Sequence, residues 1–232
     1  MSDTSEDTKI SSFAASTLPL YHGPLITIQI EPINREYTVS KNLLCSESPV
    51  FSAMLEGSFR ESQEQRVTLQ QIKGVLSTRS FEALLQWLYQ RTIEWGYISE
   101  KMRIQAAVEL ARLAEMYEIP WIEDALAEYI KDIYARNDRL TDTRYKLDDE
   151  ATFLSERHPV RRVMAQAFVL RYLQWEDDYE SSDDLMTQEH PKFAADLLYE
   201  VRETLHTLSN LDVLTVEEPI TKKRRLLAKV HE

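Results

Sequence analysis

The stretch that most constrains this chain runs from Tyr37 to Leu69, YTVSKNLLCSESPVFSAMLEGSFRESQEQRVTL. It reads as a short strand ending at Val39, a helical turn through Leu43 and Leu44, and a second helix opened by Ser48 and Pro49. The Ser48 hydroxyl can accept from an orphan amide of the first turn. Pro49 sits at the first helical position, where its missing N–H costs nothing. Phe51, Met54 and Leu55 follow three or four residues apart, which makes one face of that helix apolar. The polar loop SFRESQEQ then carries the chain to Val67, Thr68 and Leu69, whose alternation predicts a strand with a single buried face.

The flanking patterns extend this core. Ile26, Ile28 and Ile30 alternate with Thr27, Gln29 and Glu31, Pro32 ends the run, and a short link from Pro32 to Arg35 permits a hairpin into Glu36 to Val39. Downstream, Thr78 and Ser80 precede an amphipathic helix to about Gln90 whose apolar face is Phe81, Leu84, Leu85 and Leu88. Ser99 can cap a longer helix carrying Ile104, Ala107, Val108, Ala111, Ala114 and Tyr117 at helical spacing. After Pro120, the residues Trp121, Ile122, Ala125, Leu126, Tyr129, Ile130 and Ile133 repeat at three and four, which predicts a helix docked on the preceding one. The aromatic residues Trp87, Tyr89, Trp121, Tyr129 and Tyr134 fall at core positions of these helices.

This order of elements resembles the BTB/POZ domain. The family pattern is met by Val39, Lys41, Leu44, Ser48 and Phe51, then Phe59, Glu61, Val67 and Leu69, and the tripeptide Trp87, Leu88, Tyr89 is similar to the family's next helix. The resemblance covers about residues 22–135, and several details look most like the fungal branch of the family. Ser40 stands where many members have His, and Leu25 where many have Asp just before the first strand. The resemblance implies an α/β fold with a small sheet flanked by helices. It also implies a protein-protein interaction module, a substrate adaptor for a cullin-type ubiquitin ligase being one form and a homodimerising or transcription-associated scaffold the alternative.

Phe59, Arg60 and Glu61 are similar to the apolar, variable, Glu motif by which cullin-binding members engage their scaffold. Tyr117 matches a position whose ring faces the same partner. The resemblance thus makes Phe59, Glu61 and Tyr117 the candidate partner-binding residues. Many members also form symmetric dimers through the N-terminal helix and the segment before it, and this chain is a candidate homodimer on that ground. In several of them a carboxylate near the first strand pairs with a basic residue of the opening helix. With Leu25 opposite Lys41 in that role, such a charged pocket cannot form, which argues against the corepressor-binding type.

Around the domain of residues 22–135, the sequence suggests a disordered N-terminal segment (1–21), rich in Ser, Thr and acidic residues. A linker (136–158), a helical extension (159–209) and a flexible tail with a basic run (210–232) come after the domain. In the extension, Pro159 can open a helix carrying Val163, Ala167, Phe168 and Leu170, and Pro191 another with Phe193, Leu197, Val201 and Leu208 on one stripe. An acidic break containing Ser181 and Ser182 separates the two helices. No apolar run approaches the roughly 18 residues a membrane helix needs. The first residues, MSDTSEDTK, lack the basic start and apolar core of a secretory signal. These features point to the cytoplasm or nucleus, without a membrane partner. A net charge of −12 repels phosphate backbones unless the basic residues cluster, so nucleic acid is not an expected direct partner. Clustering occurs at Lys222, Lys223, Arg224 and Arg225, a candidate nuclear import signal.

Signs of catalysis are missing from the pattern. The five histidines show no ligand or catalytic spacing and are expected at the surface, and none of the four glycines belongs to a phosphate-cradling loop. Cys45 follows Leu43 and Leu44 on a helix that should face the core, so it reads as a small buried residue rather than a nucleophile. The expectation is therefore a non-enzyme without cofactor or metal. The loop residue Phe59 stands out against this background, a large apolar side chain beside a carboxylate in a polar segment.

Overall fold

A computed structural model describes residues 18–57, 64–137, 153–173, 190–210 and 213–229. The chain divides into two units, Met1–Trp95 with Leu113–Pro120, and Gly96–Arg112 with Trp121–Glu232.

In the first unit, β1 (Leu25–Glu31) and β2 (Arg35–Ser40) form an antiparallel hairpin in which Ile28 lies opposite Tyr37, and Asn34 takes the left-handed turn position. The alternation of β1 decides its faces: Ile26, Ile28 and Ile30 are buried while the residues between them are not. Each such burial contributes about 1.5–3 kcal/mol. The strand β3 (Arg66–Gln70) pairs with β1 in parallel, giving the order β2-β1-β3. A parallel return needs a crossover. Here α2 (Lys41–Glu47) and α3 (Pro49–Glu56) lie on it.

Serine sets where α2, α3 and the next helix of this unit start. The Ser40 side chain accepts the Leu43 N–H at 3.3 Å, and the Ser48 side chain accepts the Phe51 N–H at 3.0 Å. The helix α4 (Thr78–Gln90) begins after Ser77, whose hydroxyl accepts from Ser80 N while the Ser80 hydroxyl accepts from Ser77 N, a reciprocal cap. Its buried face is Phe81, Ala83, Leu84, Trp87 and Leu88, with Leu85 at the margin rather than inside. Tyr89 ties this helix to the sheet by accepting the Ser40 N–H at 2.9 Å. Tyr37 donates to Glu82 at 2.9 Å, and burial followed by that carboxylate pushes its hydroxyl pKa up to about 12.

The second unit is helical with a small sheet of its own. The helix α5 (Glu100–Met116) gives it residues 100–112, begins with the Met102 N–H on the Ser99 hydroxyl at 3.3 Å, and buries Ile104, Ala107, Val108 and Ala111. In α6 (Ile122–Arg136) the residues Ile122, Leu126, Ile130, Ile133 and Tyr134 are buried. Trp121 departs from the expected core position. It takes a left-handed conformation (φ 68°) just before the helix starts and is 79% exposed. The helical period therefore begins one residue later than the sequence suggested.

The helix α7 (Pro159–Leu173) packs against both α6 and α8 (Pro191–Leu205), and it is buried on most of its circumference, including Val160, Val163, Met164, Ala165, Ala167, Phe168 and Val169. Phe168 meets Phe193 of α8 edge-on at 5.9 Å. Leu208 lies past the end of α8 and is exposed, so it does not continue the Phe193, Leu197, Val201 stripe. The chain after Asn210 also differs from the loose tail expected. Strands β4 (Ser209–Asn210), β5 (Val213–Glu217) and β6 (Arg224–Lys229) form an antiparallel sheet in the order β4-β5-β6. The β5–β6 turn is held by the Glu218 carboxylate, which accepts from Ile220 N at 2.7 Å and Thr221 N at 2.5 Å. Of the expected 1–21 and 136–158 segments, residues 1–17 and 138–152 lie outside the described residues. Leu18–Tyr21 forms a short helical turn, α1.

Candidate partner-binding site

Tyr117 is the described member of the three candidate partner-binding residues, and the fold places it inside the first unit. It is 3% exposed, and its ring stacks on Phe51 of α3 at 4.3 Å between centroids with 4° between planes. Burial raises its hydroxyl pKa to about 12. The Ser48 hydroxyl that caps α3 donates to the Tyr117 carbonyl at 2.5 Å. One serine thus fixes both the start of α3 and the chain at the end of α5, and it is buried itself. Phe51 and Leu55, one turn apart, are fully buried, so α3 has little freedom to roll.

A fixed α3 also fixes the point from which the next loop departs. The last residue of the helix, Glu56, accepts from the Ser52 hydroxyl at 2.6 Å. Phe59 and Glu61 come within five residues of that end and lie outside the described residues. The chain is described again at Glu64 and enters β3, whose Val67 and Leu69 are buried. The elements before and after residues 58–63 are thus each held by buried side chains, Leu55 on one side and Val67 and Leu69 on the other. Sequence spacing could not show that Tyr117 stacks on Phe51, because the two residues are 66 positions apart. Ser48 was legible as a cap but not as a clamp, since a cap signal is local and the Tyr117 carbonyl is not.

The other candidates separate from this site. Leu25 lies opposite Ser40 and is 55% exposed, and the Lys41 N–H donates to the Pro24 carbonyl at 2.9 Å. Cys45 is half-buried rather than buried, and desolvation, then Glu56, raises its thiol pKa, the reverse of what a nucleophile needs.

In the second unit, the basic run is folded into the β5–β6 hairpin. The Lys222 N–H donates to the Glu218 carbonyl at 2.9 Å, and Arg224 and Arg225 pair in register with Glu217 and Val216. The Arg224 guanidinium also donates to the Thr207 carbonyl at 2.6 Å. His158, expected at the surface, is 3% exposed, with Nδ1 accepting the Val160 N–H at 3.2 Å and Nε2 at 3.9 Å from Glu123. Charges are buried nearby as well. Arg161 bonds Asp196 and donates to the carbonyls of Leu154 at 3.2 Å and Lys192 at 3.0 Å, while Glu200 accepts from Arg162 at 2.7 Å and Gln166 at 2.9 Å. This network joins α7 to α8 and has no sequence signature, since charged residues on a helix read by default as its solvated face.

Among the described residues, no group of three or more His, Cys, Asp or Glu could hold a metal ion, and no helix is long and apolar enough to cross a membrane. No curated protein matches the chain. A family model does: that of the BTB/POZ domain, over residues 25–134.

Proposed function

The chain carries a BTB/POZ domain over residues 25–134, an interaction module, and from that premise we propose that it is a substrate adaptor for a cullin-type ubiquitin ligase. Phe59 and Glu61 are the contact residues in this reading. The phenylalanine inserts into an apolar groove of the scaffold, and the carboxylate orients it. The observation that carries the reading is the clamp of Ser48, Phe51 and Tyr117, which holds the helix leading into that loop. A short loop on two rigid anchors presents an apolar side chain at low entropic cost on binding. Tyr117 acts from beneath, as a positioning residue for α3, rather than touching the scaffold through its ring.

The other half of an adaptor must hold a substrate. The helices α7 and α8 and the β4-β5-β6 sheet, which lie beyond the matched region, are the part assigned to that task. Nuclear import through Lys222, Lys223, Arg224 and Arg225 is a second and separate proposal. It requires β6 to leave β5, because a linear basic signal is read as an extended single strand. Self-association through the N-terminal helix remains the alternative to the adaptor role.

The test is scaffold binding by the Phe59→Ala and Glu61→Ala variants, with melting temperature recorded in parallel. Anchors of this kind commonly account for more than about 2 kcal/mol each on truncation, which corresponds to at least about thirtyfold in affinity. Lost binding at an unchanged melting temperature supports the adaptor reading. Binding that is indifferent to both variants removes it and leaves the homodimerising scaffold in front.

A further inference from the structure

The two edges of the β2-β1-β3 sheet differ. On the β2 side the outward Ser40 N–H is taken by the Tyr89 hydroxyl. On the β3 side the direction of the backbone follows from two bonds: Thr27 N donates to the Gln65 carbonyl at 3.0 Å, and Gln71 N donates to the Glu31 carbonyl at 2.9 Å. In a parallel ladder alternate residues face the neighbouring strand. Residues 65, 67, 69 and 71 therefore turn their backbone to β1, whereas Arg66, Thr68 and Gln70 turn theirs away. The side chains of these three are exposed, and β3 has no second strand beside it among the described residues.

Such an edge invites another strand unless something blunts it, commonly a charge, a proline or a bulge. The sequence RVTLQ has no proline, its register with β1 is unbroken, and its one charge is Arg66. That guanidinium is already bonded within its own sheet, to Glu36 and to the Gln29 side chain. Gln70 is likewise bonded to Glu31 at 2.7 Å.

We propose that this edge pairs with the same edge of a second copy of the chain, antiparallel about a two-fold axis through Thr68. The strand's order of residues selects both the occupant and the register. Centred on Thr68, the outward residues meet as Arg66 with Gln70 of the second copy, Thr68 with Thr68, and Gln70 with Arg66. All three pairs are of the hydrogen-bonded kind, giving about six backbone hydrogen bonds, two for each pair. Each Arg66 then faces an amide backed by the Glu31 carboxylate, and the two arginines stand roughly 13 Å apart at the strand rise of about 3.3 Å. Centring on Arg66 instead would set the two guanidinium groups against each other, and centring on Val67 or Leu69 leaves fewer outward pairs. The Thr68 pair supplies β-branched contact at the axis. The result is a continuous six-stranded sheet across two copies, on a surface separate from the N-terminal helix.

Sedimentation equilibrium of the full chain tests this from about 10 µM to about 1 mM, the regime of a small, weak interface. The expected result is a rise in mass toward twice 27.1 kDa. Thr68→Lys places like charges at the axis and should weaken the association at least about fivefold. Thr68→Pro deletes the outward N–H of each copy while sparing the β1 ladder, and it should weaken association too. Amide exchange on the unaltered chain fixes the place: Arg66, Thr68 and Gln70 should slow as concentration rises, and Val67 and Leu69, already bonded to β1, should not. A monomeric mass throughout the range overturns the proposal. So does a dimer that ignores Thr68→Lys and Thr68→Pro and shows its concentration-dependent protection elsewhere. Neither outcome bears on scaffold binding by Phe59 and Glu61, which is read separately.

Discussion

Replacing Ser48 by Ala removes two bonds with one hydroxyl, and the structure sets what each is worth. The lost cap on the Phe51 N–H, 3.0 Å away, costs about 1 kcal/mol. The lost donation to the Tyr117 carbonyl leaves a buried acceptor, at a further cost of about 1–3 kcal/mol. Ser48 is 1% exposed, so no water can take over either bond without opening the core. The expected total is about 2–4 kcal/mol, a sizeable share of the roughly 5–15 kcal/mol by which domains are stable. Ser99→Ala is the matched control. It also removes a helix cap, but an exposed one with the Met102 N–H at 3.3 Å, and should cost about 0.5–1 kcal/mol. Urea unfolding followed by fluorescence and circular dichroism compares the two variants. A Ser48→Ala loss no larger than that of Ser99→Ala would refute the clamp and, with it, the account of how α3 positions its loop.

Asp196→Ala should cost about 3 kcal/mol, because the Arg161 side chain is 4% exposed and is left with two carbonyl acceptors and no counter-charge. Asp132→Ala, which breaks the exposed pair with Arg136, should cost less than about 0.5 kcal/mol in the same urea assay. Alkaline unfolding should report Tyr117. Its hydroxyl pKa stands at about 12 against an ordinary 10, so the folded state prefers the neutral phenol. That preference is harmless below pH 10 and lowers stability progressively as pH rises from 10 toward 12. Tyr117→Phe should flatten part of that fall, and an unchanged alkaline limb would show the phenol to be reached by solvent.

Local physics was readable where it was also decisive. The Ile26, Ile28, Ile30 alternation specified a strand with one buried face, and Ser48 before Pro49 specified a helix start, because both signals act within a few residues. Long-range satisfaction was not readable. His158 and Arg161 are polar residues that the fold buries beside groups from distant segments, Glu123 for the histidine and Asp196 with the Lys192 carbonyl for the arginine, and no spacing announces such partners. Trp121 shows the limit at element ends: it fits the helical period, but its left-handed backbone puts it outside the helix and into solvent. The C-terminal hairpin was not legible: the sequence suggests a flexible tail over 210–232, whereas Val213–Glu217 and Arg224–Lys229 pair as strands. Glu218 as the organiser of the β5–β6 turn cannot be inferred from composition. Of the candidate site, the sequence offered Phe59, Glu61 and Tyr117 by resemblance; the fold contributed the stack on Phe51 that ties Tyr117 to the helix before the loop.

The adaptor role turns on one quantity, the affinity of the purified full chain for the amino-terminal halves of a panel of cullin scaffolds, measured by titration calorimetry. One member of the panel should bind with a dissociation constant of about 1 µM or tighter, as about 8 kcal/mol of binding free energy requires. Phe59→Ala should weaken that interaction at least about thirtyfold while leaving the melting temperature in place. If no cullin in the panel binds the unaltered chain, the adaptor reading is contradicted.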